Sequence, residues 1–164
     1  MLAAGLAIVA AIIATSLSAL WLRSPGQIRP VLGADGGRIA TAIAEKVFVE
    51  INGTRQGMII RGANPSNPVL LFVHGGPAMP TYCLDRHYPT GLEADFTVVW
   101  WDQRGAGLSF RSDIPAETMN VQQIVDDTVA VADHLRARFG KEKVYLMGHS
   151  WGSFIGIQAA AKAP

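Results

Sequence analysis

The sequence predicts an α/β fold: an antiparallel hairpin that leads into a parallel sheet with helices on both faces. Three observations predict it. Short β-rich runs at residues 47–51 and 57–61 flank Asn52-Gly53, the preferred pair for a tight type I′ turn. Continuous apolar runs at residues 69–73 and 97–101 have the composition of strands buried on both faces. Helical periodicity then alternates with such runs, which requires parallel strands joined by crossovers.

The chain has 164 residues and a formal net charge of +1, with its charges spread along it. That pattern offers neither a nucleic-acid stripe nor an acidic tail. Cys83 is the only cysteine, so an intramolecular disulfide and a thiolate metal cluster are both excluded.

Residues 2–22 carry no charged side chain, and Thr15, Ser16 and Ser18 are their polar members. About 20 apolar residues suffice to cross a hydrocarbon core. Residues 1–23 are therefore expected to form a hydrophobic helix that anchors the protein in a membrane. A cleaved secretory signal is the alternative, with small residues around Ser16-Leu17-Ser18 as the cleavage site. Arg23, Arg29 and Arg38 follow the segment and favour a cytoplasmic domain under the positive-inside rule. Residues 24–44 contain Pro25, Gly26, Pro30, Gly33, Gly36 and Gly37 and read as a linker. Residues 45–164 form the globular domain.

Within that domain the elements follow in order. After the hairpin, residues 64–68 are a turn cluster, and the run 69–73 ends at His74-Gly75-Gly76-Pro77. A helix is expected within 81–93. The run 97–101 ends at Asp102-Gln103-Arg104-Gly105. Val121, Ile124, Val125, Thr128, Val129, Ala132, Leu135 and Phe139 share one helical face. Asn120 suits the cap, Gln123 a capping box, and Gly140 the stop. Residues 144–147 make a fifth strand, 148–152 a turn and 153–162 a helix.

Gly148-His149-Ser150-Trp151-Gly152 matches Gly-x-Ser-x-Gly between that strand and that helix. This is the setting of a nucleophile elbow, where a serine sits on a sharp strand-to-helix turn. A glycine-rich turn with a bystander serine is the plain alternative, and the strand-then-helix context argues against it. Ser150 is thus the candidate nucleophile. A serine hydroxyl needs a base for its proton and donors for the oxyanion. Trp151 N–H, directly after the serine, is one candidate donor. Gly76 N–H, in the loop after the third strand, is the other, with Gly75 second. A cis Gly76–Pro77 bond is expected at this tight turn.

His74-Gly75-Gly76-Pro77, Asp102-Gln103-Arg104-Gly105-Ala106-Gly107-Leu108-Ser109 and Gly148-His149-Ser150-Trp151-Gly152-Ser153 resemble, in order and spacing, the three signatures of proline iminopeptidases. These are the S33 peptidase group of the α/β hydrolases. The resemblance covers residues 47–164 and implies the N-terminal part of an α/β-hydrolase fold. It implies a serine hydrolase, an aminopeptidase acting on a peptide or small-molecule substrate without cofactor or metal. It also implies a structural Asp102 loop, pinned by contacts between Asp102 and Arg104. Ala78 stands where the group typically has glycine, and so does His149. A histidine in the latter place is common in esterase-like α/β hydrolases, which keeps an ester substrate beside the peptide.

In α/β hydrolases the triad runs Ser, then Asp or Glu, then His. The fourteen residues after Ser150 contain no Asp, Glu or His, and all four histidines precede the serine. His74 reads as a hydrogen-bonded anchor, and His149, as a neighbour in a tight turn, points away from the hydroxyl. His87 and His134 sit on helices, with no zinc-ligand spacing. The chain is accordingly expected to be the N-terminal part of a longer hydrolase, inactive alone. The competing reading is a non-catalytic remnant or binding module that keeps the elbow.

Overall fold

A computed structural model describes residues 2–23 and 28–163. Pro25 and Gly26 of the expected linker lie outside the described residues. Helix α1 spans Leu2–Arg23. Among the described residues no helix is long and apolar enough to cross a membrane. This corrects the membrane anchor at residues 1–23, and with it the membrane location and the membrane as a partner. Thr15, Ser16 and Ser18 interrupt the apolar sequence of α1, and the Thr15 hydroxyl donates back to the Ala11 carbonyl at 2.7 Å.

The hairpin opens the sheet. Strands β1 (Ile43–Ile51) and β2 (Thr54–Gly62) pair antiparallel from Ile43↔Gly62 to Ile51↔Thr54. Asn52 (φ 46°) and Gly53 (φ 74°) both hold the positive φ that a type I′ turn demands. The strands are longer than the apolar runs that announce them, because the backbone ladder continues through Ala44, Glu45 and Lys46 whatever their polarity.

Three strands follow: β3 (Val69–Val73), β4 (Thr97–Trp101) and β5 (Tyr145–Gly148). The sheet order is β1-β2-β4-β3-β5. β2 and β4 are antiparallel, while β3 runs parallel to both β4 and β5. The chain leaves β3 toward β4 on one side and returns to β5 on the other. The loops after β3, β4 and β5 therefore emerge together at a topological switch point, where open α/β sheets bind ligands.

Strand residues alternate between two cores. Met58, Ile60, Leu71, Val73, Val99 and Trp101 pack with Ile124, Val125, Val131 and Leu135 of α3 (Val121–Phe139) and with Ile155 and Ala159 of α4 (Trp151–Lys162). Ile59, Leu70, Val98 and Trp100 pack on the other side with Tyr82 of α2 (Tyr82–His87). Helices thus cover both faces. The helix expected within 81–93 is broken into α2 and a 3-10 turn at Leu92–Ala94, because Pro89 follows α2 and Gly91 takes a left-handed φ of 76°.

Helix α3 is capped as its sequence indicates, with Asn120 Oδ1 accepting Gln123 N–H at 2.9 Å. The box is not reciprocal, since Gln123 Nε2 donates to Asp127 instead. Gly140 (φ 60°) ends it, and the Lys141 N–H reaches the Arg136 carbonyl at 3.0 Å, a Schellman closure. The buried stripe includes Val131 and Asp127, while Val121 is more than a third exposed. No described peptide bond is cis. The expected cis Gly76–Pro77 is corrected: Gly76 makes the turn itself at φ 32°, closed by Met79 N–H to the Gly76 carbonyl at 3.0 Å.

Candidate active site

Strand β5 passes to α4 through only His149 and Ser150. Ser150 takes φ 52° and ψ −118°, a conformation that costs an L-residue about 1–3 kcal/mol and persists only where its surroundings enforce it. They do so here. His149 N–H donates to the Val73 carbonyl, Gly152 N–H to His149, and Ser153 N–H to Ser150, at 3.2, 2.8 and 2.9 Å. The motif glycines follow from close approach. A Cβ on Gly148 would lie 2.6 Å from Ser153 Cα, and one on Gly152 would collide with the Val73 carbonyl. The result is an exposed Ser150 whose hydroxyl makes no hydrogen bond among the described residues.

The loop after β3 lies against this elbow. A Cβ on Gly75 would fall 2.9 Å from the His149 carbonyl oxygen and 3.2 Å from Ser150 Cβ. Gly76 N–H and Trp151 N–H both lack an acceptor among the described residues. Trp151 is the first residue of α4, so its N–H is one of the helix's unpaired donors at the positive end of the dipole.

The loop after β4 holds the other two. Gln103 is fully buried. Its backbone N–H donates to His74 Nε2 at 3.0 Å, its side-chain NH2 to the His74 carbonyl at 2.8 Å, and its Oε1 accepts Trp151 Nε1–H at 3.1 Å. Arg104 and Asp127 form a buried bidentate pair at 2.8 and 3.0 Å. Arg104 also reaches Thr54 Oγ1 and the Asn52 carbonyl in the hairpin turn. The expected pinning of the loop by contact between Asp102 and Arg104 is corrected. Arg104 pairs with Asp127, and Asp102 Oδ2 instead accepts Leu108 N–H at 2.7 Å. Burial pushes the Asp102 carboxyl up from 3.8 to about 6, partly offset by that N–H.

None of the four histidines hydrogen-bonds the Ser150 hydroxyl. His74 is buried, and its Nε2 accepts the Gln103 N–H while Nδ1 faces the Gly75 carbonyl at 3.1 Å. That pairing leaves the proton on Nδ1 and the ring neutral, and burial lowers the His74 pKa, with the Gly75 bond opposing it. His87 Nδ1 is bonded to the Cys83 carbonyl. His134 has a buried Nε2 without a partner among the described residues, and its pKa is lowered by burial and by Arg138. A cavity of about 220 Å³ opens beside His149, lined by Phe72, Leu84, Tyr88 and Trp100. A larger one of about 480 Å³ lies between α3, β5 and the end of α4, away from the elbow.

Residues 68–164 match the alpha/beta hydrolase fold family. The chain belongs to the α/β-hydrolase fold family. This α/β hydrolase is 44% identical over 123 residues to the probable aminopeptidase YbaC of Bacillus subtilis, a match covering 75% of this chain and 39% of that protein. It is 36% identical to the proline iminopeptidase PfmaB of Pestalotiopsis fici, over 70% of this chain and 38% of that one. Among solved structures, it is similar to a proline iminopeptidase-related protein from Thermus thermophilus, with a TM-score of 0.64 at 28% identity over 74% of this chain and 41% of that chain. It is also similar to an epoxide hydrolase mutant from Vigna radiata, with a TM-score of 0.60 at 30% identity over 74% and 35% of the two chains. The α/β hydrolase described here spans about two fifths of the length of the curated relatives it matches.

Three side chains of this site escape a reading of the sequence. Asp127 was detectable, because it lies between Ile124 and Val131 on the apolar stripe of α3, where an acid needs a buried partner. The Gln103 carboxamide and the Trp151 indole carry no such signal. Their roles arise only when three loops distant in sequence converge.

Proposed function

We propose that this α/β-hydrolase chain carries the nucleophile of a serine hydrolase that cleaves an ester bond or an amide such as an N-terminal peptide bond. Ser150 Oγ attacks the substrate carbonyl and gives up its proton to a general base, which returns it to the leaving amine or alcohol. Gly76 and Trp151 N–H groups receive the resulting oxyanion. Collapse expels the amine or alcohol and leaves an acyl group on Ser150, which water then removes. The observation that carries this reading is the strained, exposed Ser150 together with two backbone donors that lack acceptors among the described residues. The aminopeptidase and iminopeptidase relatives support the amide branch. With His74 neutral and doubly bonded, the base and its acid partner are assigned to parts of the hydrolase beyond the described residues.

In the full-length enzyme, a fluorophosphonate should label Ser150, and Ser150→Ala should abolish both labelling and hydrolysis. Comparing L-proline 4-nitroanilide with 4-nitrophenyl acetate separates the amide from the ester branch. A folded enzyme whose hydrolysis survives Ser150→Ala would remove the proposal; a folded protein with neither labelling nor turnover would favour a non-catalytic elbow.

A further inference from the structure

The three signature loops meet at one side chain. Gln103 has no solvent exposure, and its polar atoms face partners of fixed polarity. The His74 carbonyl can only accept, so it must face the NH2. The Trp151 indole N–H can only donate, so it must face Oε1. The carboxamide therefore has one orientation, and a flip would set donor against donor and acceptor against acceptor.

The two partners flank the backbone donors assigned above. His74 lies two residues before Gly76, and the loop between them is trans throughout with Gly76 at φ 32°. Trp151 bears the second N–H on its own backbone. A Cβ on Gly75 would already touch the elbow, so the loop has no slack toward Ser150. Gln103 is attached to neither the elbow nor the loop after β3, yet it bonds to both.

We propose that Gln103 is a positioning residue that sets the separation of the Gly76 and Trp151 N–H groups, and so tunes stabilisation of the oxyanion. This rests on the serine-hydrolase reading. Donors must lie within about 2.7–3.1 Å of the developing oxyanion, and loss of one costs about 10²–10³ in kcat. Misplacement by about 1 Å can cost about 10². The Gln103 bonds touch neither substrate nor the reacting atoms, so their effect should fall on the transition state rather than on substrate binding.

The test uses the full-length enzyme with 4-nitrophenyl acetate and L-proline 4-nitroanilide, with rates normalised to Ser150 titrated by fluorophosphonate. Gln103→Met keeps the volume and removes both side-chain bonds. Trp151→Phe keeps an aromatic side chain and the backbone N–H while removing the indole donor. Each should lower kcat about ten- to a hundredfold with KM little changed. Affinity for a boronic acid, which mimics the tetrahedral adduct, should fall in parallel with kcat/KM. The double variant should lose much less than the product of the two single losses, since both break one link. A kcat per titrated serine unchanged in both variants would overturn the proposal, even with a lowered melting temperature. So would losses that multiply fully, or losses confined to KM. Wild-type hydrolysis that does not depend on Ser150 would instead refute the serine-hydrolase reading, and this inference with it.

Discussion

Asp127→Ala should be among the most damaging single changes outside the elbow. The Asp127 carboxylate is fully buried. It accepts from Arg104 Nε and Nη2, Asn52 Nδ2, Gln56 Nε2 and Gln123 Nε2, at 2.8, 3.0, 2.9, 2.8 and 2.9 Å. Removing it leaves the Arg104 guanidinium, only 2% exposed, as an uncompensated buried cation. Breaking a buried pair from one side costs about 3–5 kcal/mol. Gln56, fully buried and also bonded to Trp101 Nε1, loses one acceptor, at about 1–3 kcal/mol for an orphaned buried donor. A total near the upper end of the pair's range, about 5 kcal/mol, is expected. Urea unfolding of the full-length enzyme should show it as a lowered midpoint at unchanged slope. Hydrogen exchange should accelerate first at residues 52–56 and 102–105, which the carboxylate joins. The double change Arg104→Met with Asp127→Leu should recover part of the loss by removing both charges. A single Asp127→Ala variant within about 1 kcal/mol of wild type would contradict the reasoning, because that is the scale of an ordinary exposed pair.

Asp102 gives a pH signature. Its folded carboxyl holds a proton up to about 6 and its unfolded one to about 3.8. The folded state binds more protons in that window, so stability should fall as pH rises through it. Asp102→Asn, which cannot titrate, should flatten that fall in urea midpoints taken from about pH 4 to 7; an identical slope in both proteins would rule out Asp102 as its source. Gly152→Ala should destroy fluorophosphonate labelling, because its Cβ meets the Val73 and His74 backbone carbonyls; normal labelling would show that the elbow can relax. Asn120→Ala should destabilise the protein by about 1 kcal/mol through loss of the α3 cap, read from the same urea curves. The 164 residues alone, with no histidine bonded to Ser150, should show at most the residual ~10³–10⁴ acceleration over water that binding and oxyanion donors give; enzyme-like rates lost on Ser150→Ala would mean a histidine of this chain serves as base.

The fold is legible in the sequence where local chemistry decides it. Asn52-Gly53 forces its turn, Asn120 and Gly140 bound α3, and the apolar runs of β3 and β4 match their strands residue for residue. It is less legible where pairing or breakers decide. β1 and β2 extend past their apolar runs because each continues the other's ladder. The single helix expected within 81–93 divides at Pro89 and Gly91, which outweigh a weak helical pattern. At the N-terminus, the length and lack of charge of residues 2–22 suggest a membrane span, yet among the described residues no helix is long and apolar enough to cross one.

The site is legible as three separate motifs, and the structure makes them one object. Their convergence follows from sheet order, because β3 lies between β4 and β5 and so brings the loops after all three to one edge. Each motif then supplies what another lacks. The elbow offers a strained serine but needs a fixed neighbour, and Gly75 packs against it. The loop after β3 carries two glycines with no side chain to hold them, and Gln103 bonds to it through His74. In the loop after β4, Asp102 bonds Leu108 and Arg104 bonds Asp127. The longest motif is thus held by its own bonds, while its Gln103 side chain joins the two other loops.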